Sequence, residues 1–412
     1  MNRTKPFIVN YGLGLLLSGS TLLLAGCTHH ASGRLDGDER PDPWQGVALP
    51  PVNGASSSVA SNQTAGTGRR PAGPRIEAKE LLPPGVRDPD GWSRDIMTAT
   101  RTLGIPQSPE NLCAVIAVIG QESSFQAEPV IPQLPRIIRN ELEKRRAHYH
   151  LPKAVVEAAL AMKSPDGRRY EERIQALRTE NDLNRLYDDM LSALPLGKTL
   201  FGHQPLVRTG GPMQVSLAFA QQEQKKGRYP YPMTGSLRDE VFSRRGGVYF
   251  GVANLLDYPS GYDRMLYRFA DYNAGRYSSR NAGFQAAIQR FRGHALGLDG
   301  DLLRYDGAGH PQANSETFEA LRTLSPPLPQ TEAELRRDLS REKEADFDQT
   351  PLWLEIDKRQ VLGGGGHLKP RVPEIRLVSP KITSGLTTQG FAQRVDGRYQ
   401  ACLAQSRRAR SE

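Results

Sequence analysis

The sequence predicts a mainly α-helical protein, and three observations carry that expectation. The stretch Asn111–Gln126, NLCAVIAVIGQESSFQ, follows a helix-start signature and is apolar almost all round, the composition of a buried helix. Further segments from Trp92 to Phe291 space their apolar residues at helical intervals. Only Val372–Ile382, with Val372, Ile375, Leu377 and Val378, reads as a strand.

In the central stretch, Ser108 suits the N-cap, Pro109 the first helical position and Glu110 the positive end of the dipole. Glu122 falls seven, four and three residues after Val115, Val118 and Ile119, which directs its carboxyl toward the buried side. Desolvation there would raise its pKa and keep it protonated near neutral pH. A helix that stopped at Gly120 would instead leave Glu122 facing water.

Before this helix, Trp92, Ile96 and Met97 predict a helix that ends before Gly104-Ile105-Pro106. After it, residues 127–209 form an insert with three helical patterns, Arg136–His148, Lys153–Met162 and Glu171–Leu194. The basic residues Arg136, Arg139, Lys144, Arg145 and Arg146 read as a solvated helix face. Gly210–Ser216 predicts a turn leading into another helix, with Gly210 and Gly211 permitting close approach of the backbone. Val248–Leu256 and Asp263–Phe269 read as helices, Asp271–Gly275 as a polar break, and Phe284, Ala287, Ile288 and Phe291 as one face of a further helix. Downstream, Glu332–Glu344 and Thr387–Gln405 are the expected helices. Gly363–Gly366 follows no strand and is a joint rather than a nucleotide loop.

The N-terminus has the layout of an export signal, with Arg3 and Lys5 ahead of an apolar run from Ile8 to Ala25. Leu23-Leu24-Ala25-Gly26-Cys27 resembles the bacterial lipobox. That resemblance implies a signal peptide over residues 1–26, cleavage before Cys27, and a diacylglycerol on its thiol. Thr28 in place of aspartate implies sorting to the outer membrane, with the protein facing the periplasm and anchored to the membrane without spanning it. Residues 27–75 are rich in Gly, Pro, Ser and Ala and read as a disordered tether. Residues 76–310 then form the core domain, and residues 311–412 a small mixed extension packing on it.

Removing residues 1–26 takes away Arg3 and Lys5 and no acid, lowering the formal charge from +9 to +7. Such a mild basic excess suits any anionic polymer, peptidoglycan included. Nothing resembles a nucleic-acid module, so no nucleic-acid partner is expected. Beyond Cys27 only Cys113 and Cys402 remain. They are compatible with a disulfide in an oxidising compartment and equally with two free thiols.

Three short motifs stand in order: Glu122-Ser123-Ser124-Phe125, Gly211-Pro212-Met213-Gln214 and Tyr272-Asn273-Ala274-Gly275. Together they resemble the lysozyme-like lytic transglycosylases, whose signatures read E-S-x-F, G-L-M-Q and A-Y-N-A-G. The resemblance covers residues 105–295, and the chain also looks like an uncharacterised bacterial lipoprotein family built on such a core. It implies a lysozyme-like helical catalytic domain acting on peptidoglycan glycan strands, with Glu122 as catalytic acid and base and Ser123 orienting it or the substrate. Met213 and Gln214 would line the sugar groove, Tyr272 would hydrogen-bond the carboxyl, and Asn273 would hold the loop or the sugar.

The implied reaction cleaves the β-1,4 bond between N-acetylmuramic acid and N-acetylglucosamine and closes a 1,6-anhydro ring. It requires no cofactor and no metal. Pro212 in place of leucine, Asp271 in place of alanine and the length of the insert depart from the pattern. Two other readings stand beside this one: a hydrolytic muramidase using Asp271 or Glu128 as a second carboxylate, and an inactive glycan-binding or scaffolding envelope lipoprotein.

Overall fold

The computed structural model describes residues 76–194, 197, 209–233, 235–305, 315–376 and 387–409. The expected signal peptide, Cys27 and the tether lie outside the described residues. The fold is mainly helical. Its helices gather into three apolar clusters, and the largest surrounds the central helix.

The first cluster begins with α1 (Ala78–Leu81) and α2 (Pro89–Thr102), the latter started by the Asp88 carboxylate, which accepts from the Gly91 amide. Helix α3 (Pro109–Ser123) is the predicted central helix. The Ser108 hydroxyl accepts from Asn111 N, Pro109 sits in the first turn, and every residue from Leu112 to Ile119 is inaccessible to solvent. Burial on all sides explains its continuous apolar composition. The helix runs past Gly120 to Ser123, so Glu122 lies inside its last turn.

Ser124 and Phe125 then both adopt left-handed φ values, turning the chain sharply. Phe125 is buried edge-on against Trp92, with ring centroids 5.5 Å apart.

The insert forms the second cluster, from α4 (Leu134–His148), α5 (Lys153–Ala161), α6 (Tyr170–Ala176) and α7 (Glu180–Ala193). Leu134, Ile138 and Leu142 of α4 face Tyr170, Ile174, Leu183, Leu186 and Met190. Three of its basic residues form ion pairs within the insert: Arg139 with Glu171, Arg145 with Glu141 and Arg146 with Glu143. Glu171–Leu194, read above as one pattern, is two helices. Thr179 breaks it, its hydroxyl accepting from Asp182 N while the Asp182 carboxylate accepts from Thr179 N. This reciprocal cap starts a new helix whatever the apolar period before it.

A short antiparallel hairpin follows, β1 (Thr209–Gly210) against β2 (Val215–Ser216), and leads into α8 (Leu217–Gln224). Next come α9 (Leu237–Phe242), α10 (Arg244–Leu256), α11 (Met265–Ala274) and α12 (Ser278–Arg292). Asp271–Ala274, expected as a polar break, are the last turn of α11.

The third cluster packs α12 against α13 (Glu316–Arg322), α14 (Glu332–Leu339) and α15 (Pro351–Leu362). Phe284 stacks on Trp353 there, with centroids 5.4 Å apart. Of the expected strand, Arg376 forms one bridge to Thr387, and residues 377–382 lie outside the described residues. The last helix, α16 (Thr388–Ala409), returns to the first cluster and packs against both α3 and α11. Cys402 is disulfide-bonded to Cys113 of α3, with Cα atoms 5.6 Å apart across 289 positions. The C-terminal residues therefore divide: α13–α15 lie against α12, while α16 belongs to the core around α3. No helix among the described residues is long and apolar enough to cross a membrane.

Candidate functional site

The hairpin turn carrying the second motif is held by two glycines of α10. A Cβ on Gly251 would lie 2.4 Å from the Met213 sulfur, and one on Gly247 would lie 2.5 Å from Pro212 Cδ. Bare backbone at these two positions, one helical turn apart, makes the trough in which Pro212 and Met213 rest. Pro212 thus fits its site by packing on Gly247.

Met213 is fully buried. The expectation that it lines a sugar groove is corrected: it anchors the turn. Gln214, held at a left-handed φ of 50°, closes the turn through its amide to the Gly211 carbonyl.

The third motif meets the second directly. The Tyr272 hydroxyl donates to the Met213 carbonyl oxygen at 2.5 Å. Tyr272 was expected to bond the carboxyl of Glu122; instead it spends its proton on the turn, because the Met213 carbonyl is buried and needs a donor. Burial pushes the pKa of the Tyr272 hydroxyl up, and the charge of Glu122, within electrostatic reach, adds to the shift. Asn273 is buried, and its Oδ1 accepts from Thr388 Oγ1 at 2.6 Å. It therefore ties α11 to the start of α16 rather than facing a sugar. Ser123 donates to the Ile119 carbonyl one turn back.

Glu122 is 2% exposed, and neither carboxyl oxygen has a hydrogen-bond partner among the described residues. Burial pushes its pKa well above the usual carboxylate range, and the nearby charge of Glu180 adds to the shift. Both effects favour the protonated form of the acid.

Glu180 was not recognised in the sequence, and it comes from the insert. It is the first residue of α7, it is buried, and its Oε2 accepts from Gln214 Nε2 at 3.0 Å. The sequence held one signal for it, the capping pattern from Thr179 to Asp182, which marks a helix start at Glu180.

The two carboxylates weighed as alternatives do other work. Asp271 accepts from the Tyr258 and Tyr262 hydroxyls and from the amides of Tyr277 and Ser279, joining α11 to the N-terminus of α12. Burial pushes its pKa up to about 6. Glu128 is exposed and accepts from Asn181 Nδ2 at 3.0 Å. Among the described residues no group of His, Cys, Asp and Glu side chains is placed to hold a metal.

The chain belongs to the family described as "Protein of unknown function (DUF1615)", whose model matches residues 85–405. The match takes in all three motifs, the insert and most of α16. The chain is similar to "Uncharacterized protein YaiW" of Escherichia coli (strain K12), at 44% identity over 328 residues, which make up 79% of this chain and 88% of that protein. No solved structure matches.

Proposed function

We propose that this protein is a peptidoglycan lytic transglycosylase with a lysozyme-like catalytic core, in which Glu122 is the catalytic acid and base. The observation that carries this reading is the buried, unpartnered carboxyl of Glu122, electrostatically coupled to Tyr272, which bonds the turn of the second motif. Protonated Glu122 gives its proton to the glycosidic oxygen. Ionised, it takes the proton of the C6 hydroxyl of the same muramic residue, which closes the 1,6-anhydro ring. An intramolecular nucleophile needs no positioned water.

A second reading is favoured by one specific observation, the buried Glu180 beside Glu122. In a hydrolytic muramidase a second carboxylate activates water or attacks the sugar, at a separation of about 5–9 Å. In this reading Glu180 takes that role, as the acid whose charge reaches Glu122, while Asp271 and Glu128 are engaged elsewhere. Digestion of purified sacculi followed by mass analysis separates the readings. Anhydro-ended fragments support the transglycosylase and reducing ends support the hydrolase. No release beyond that of Glu122→Gln leaves a glycan binder and defeats both.

We further propose that the protein is a lipoprotein anchored through Cys27 in the outer membrane, facing the periplasm. The lipobox supports the anchor, and the Cys113–Cys402 disulfide suits an oxidising compartment.

A further inference from the structure

Helix α15 is apolar on two faces. Leu352 and Ile356 are buried in the third cluster, where the helix packs against α12 and α14. On its outward face Leu354, Val361 and Leu362 are 56, 41 and 77% exposed, and Leu362 and Leu354 are the most exposed large apolar side chains among the described residues. Lys358 stands four positions from Leu354 and Leu362 and three from Val361, so the four side chains share one stripe. A surface helix ordinarily places polar residues there.

Cations border the same stripe. After Leu362 the glycine turn folds back on the helix, Gly363 N and Gly365 N donating to the Arg359 and Gln360 carbonyls, both at 2.9 Å. Arg290 of α12 rests against that turn, its Nη1 2.3 Å from where a Cβ on Gly365 would lie. Lys358, Arg290 and Lys369 are exposed and form no ion pair among the described residues. The two acids of α15 are engaged, Glu355 with Arg359 and Asp357 with His367. Exposed hydrocarbon bordered by unpaired cations suits the boundary of an anionic bilayer, where apolar side chains enter among the acyl chains and cations meet the phosphates.

We propose that the outward face of α15, with the glycine turn and Arg290, docks on an anionic phospholipid bilayer. The Cys27 anchor proposed above would keep such a surface in reach, since the expected tether over residues 27–75 spans about 40 Å as a flexible chain. At the effective concentrations of about millimolar that a tether of this kind gives, even a weak contact is occupied. A second copy of this chain fits the face poorly, because a two-fold contact would bring the two sets of cations together while the acids of α15 are already paired.

The test uses residues 28–412, which keep every described residue and lack the lipid site, so that its result is independent of the fate of Cys27. Sedimentation with vesicles of phosphatidylglycerol and phosphatidylethanolamine is compared with vesicles of phosphatidylcholine, at low and high salt. The expected result is binding to the anionic vesicles alone, weakened by salt. Binding should be about tenfold weaker when Leu354→Ser and Leu362→Ser are combined, and about fivefold weaker in Lys358→Gln. All three positions are exposed, so melting temperatures should stay close to that of wild type, and Lys358→Gln decides alone if the double variant does not fold. Absence of wild-type binding, equal binding to phosphatidylcholine, or unchanged binding in either folded variant overturns the proposal. Sedimentation velocity without lipid addresses the other occupant: a wild-type dimer that the variants dissolve assigns the face to a second copy and overturns the bilayer.

Discussion

The hydroxyl of Tyr272 donates to the main-chain carbonyl of Met213, a bond spanning 59 positions that fastens the end of α11 to the hairpin turn. Tyr272→Phe keeps the ring and leaves that buried carbonyl without its donor. We predict a loss of about 1–3 kcal/mol in urea unfolding, the cost of stranding a buried acceptor. Cleavage should fall as well, since the turn that carries Gln214 loses its tether. A variant as stable as wild type would show that the bond contributes nothing.

Glu122→Gln is predicted to abolish cleavage while leaving the fold at least as stable. The loss should be several powers of ten, because single-group acid catalysis is worth about 10²–10⁴ and this group acts twice. The sign of the stability change follows from its raised pKa. The native state holds the proton more tightly than the unfolded chain, so wild type loses stability as pH rises from the unfolded value toward the folded one. The glutamine variant has no such slope. Its melting temperature, measured against wild type, should therefore gain as pH climbs above about 4.5. A difference independent of pH would contradict the burial argument.

Asp271→Asn should retain turnover, because Asp271 serves the α11–α12 joint and not Glu122. With its pKa pushed up to about 6 from an ordinary 3.8, the carboxyl destabilises the wild-type fold progressively between those values as pH rises, by about 3 kcal/mol in all. The stability of wild type relative to Asp271→Asn should accordingly decline across that window in parallel melts. An asparagine variant that is folded and inactive would instead place Asp271 in the reaction.

Replacing Cys113 and Cys402 together by serine should cost about 2–5 kcal/mol, given the long loop that the bond closes. Denaturant midpoints of the two forms, with and without reductant, measure it. Equal midpoints for oxidised wild type and the double variant would mean that the bond does not restrain the unfolded chain.

Cys27→Ala should move the protein from the detergent phase to the aqueous phase in partitioning experiments, as expected for loss of a lipid anchor. Equal recovery of both forms in the aqueous phase would remove lipidation from the account.

The helical class and the place of Glu122 were legible because both rest on local periodicity. Val115, Val118 and Ile119 mark one face of α3, and Glu122 continues it. What was not legible depends on distant partners. Met213 and Asn273 belong to the motifs by type, yet one fills a trough made by Gly251 and the other bonds Thr388, 115 positions away. Asp271 looked like a spare carboxylate because the four donors that occupy it come from two stretches of chain, one on either side of α11. Glu180 lay within an apparently continuous helical pattern, and only the cap at Thr179 turns it into a first-turn residue facing Gln214.

The position of α16 bears on how the chain is made. The surface that covers much of the central helix α3 is translated after it, and the partner of Cys113 follows 289 positions further along the chain. Native packing around α3 therefore waits for α16. A product truncated before residue 388 would leave the apolar flank of α3 bare, a signature that chaperones and proteases recognise. Only a chain that carries α16 can complete this core, and products lacking it are expected to be degraded rather than to accumulate.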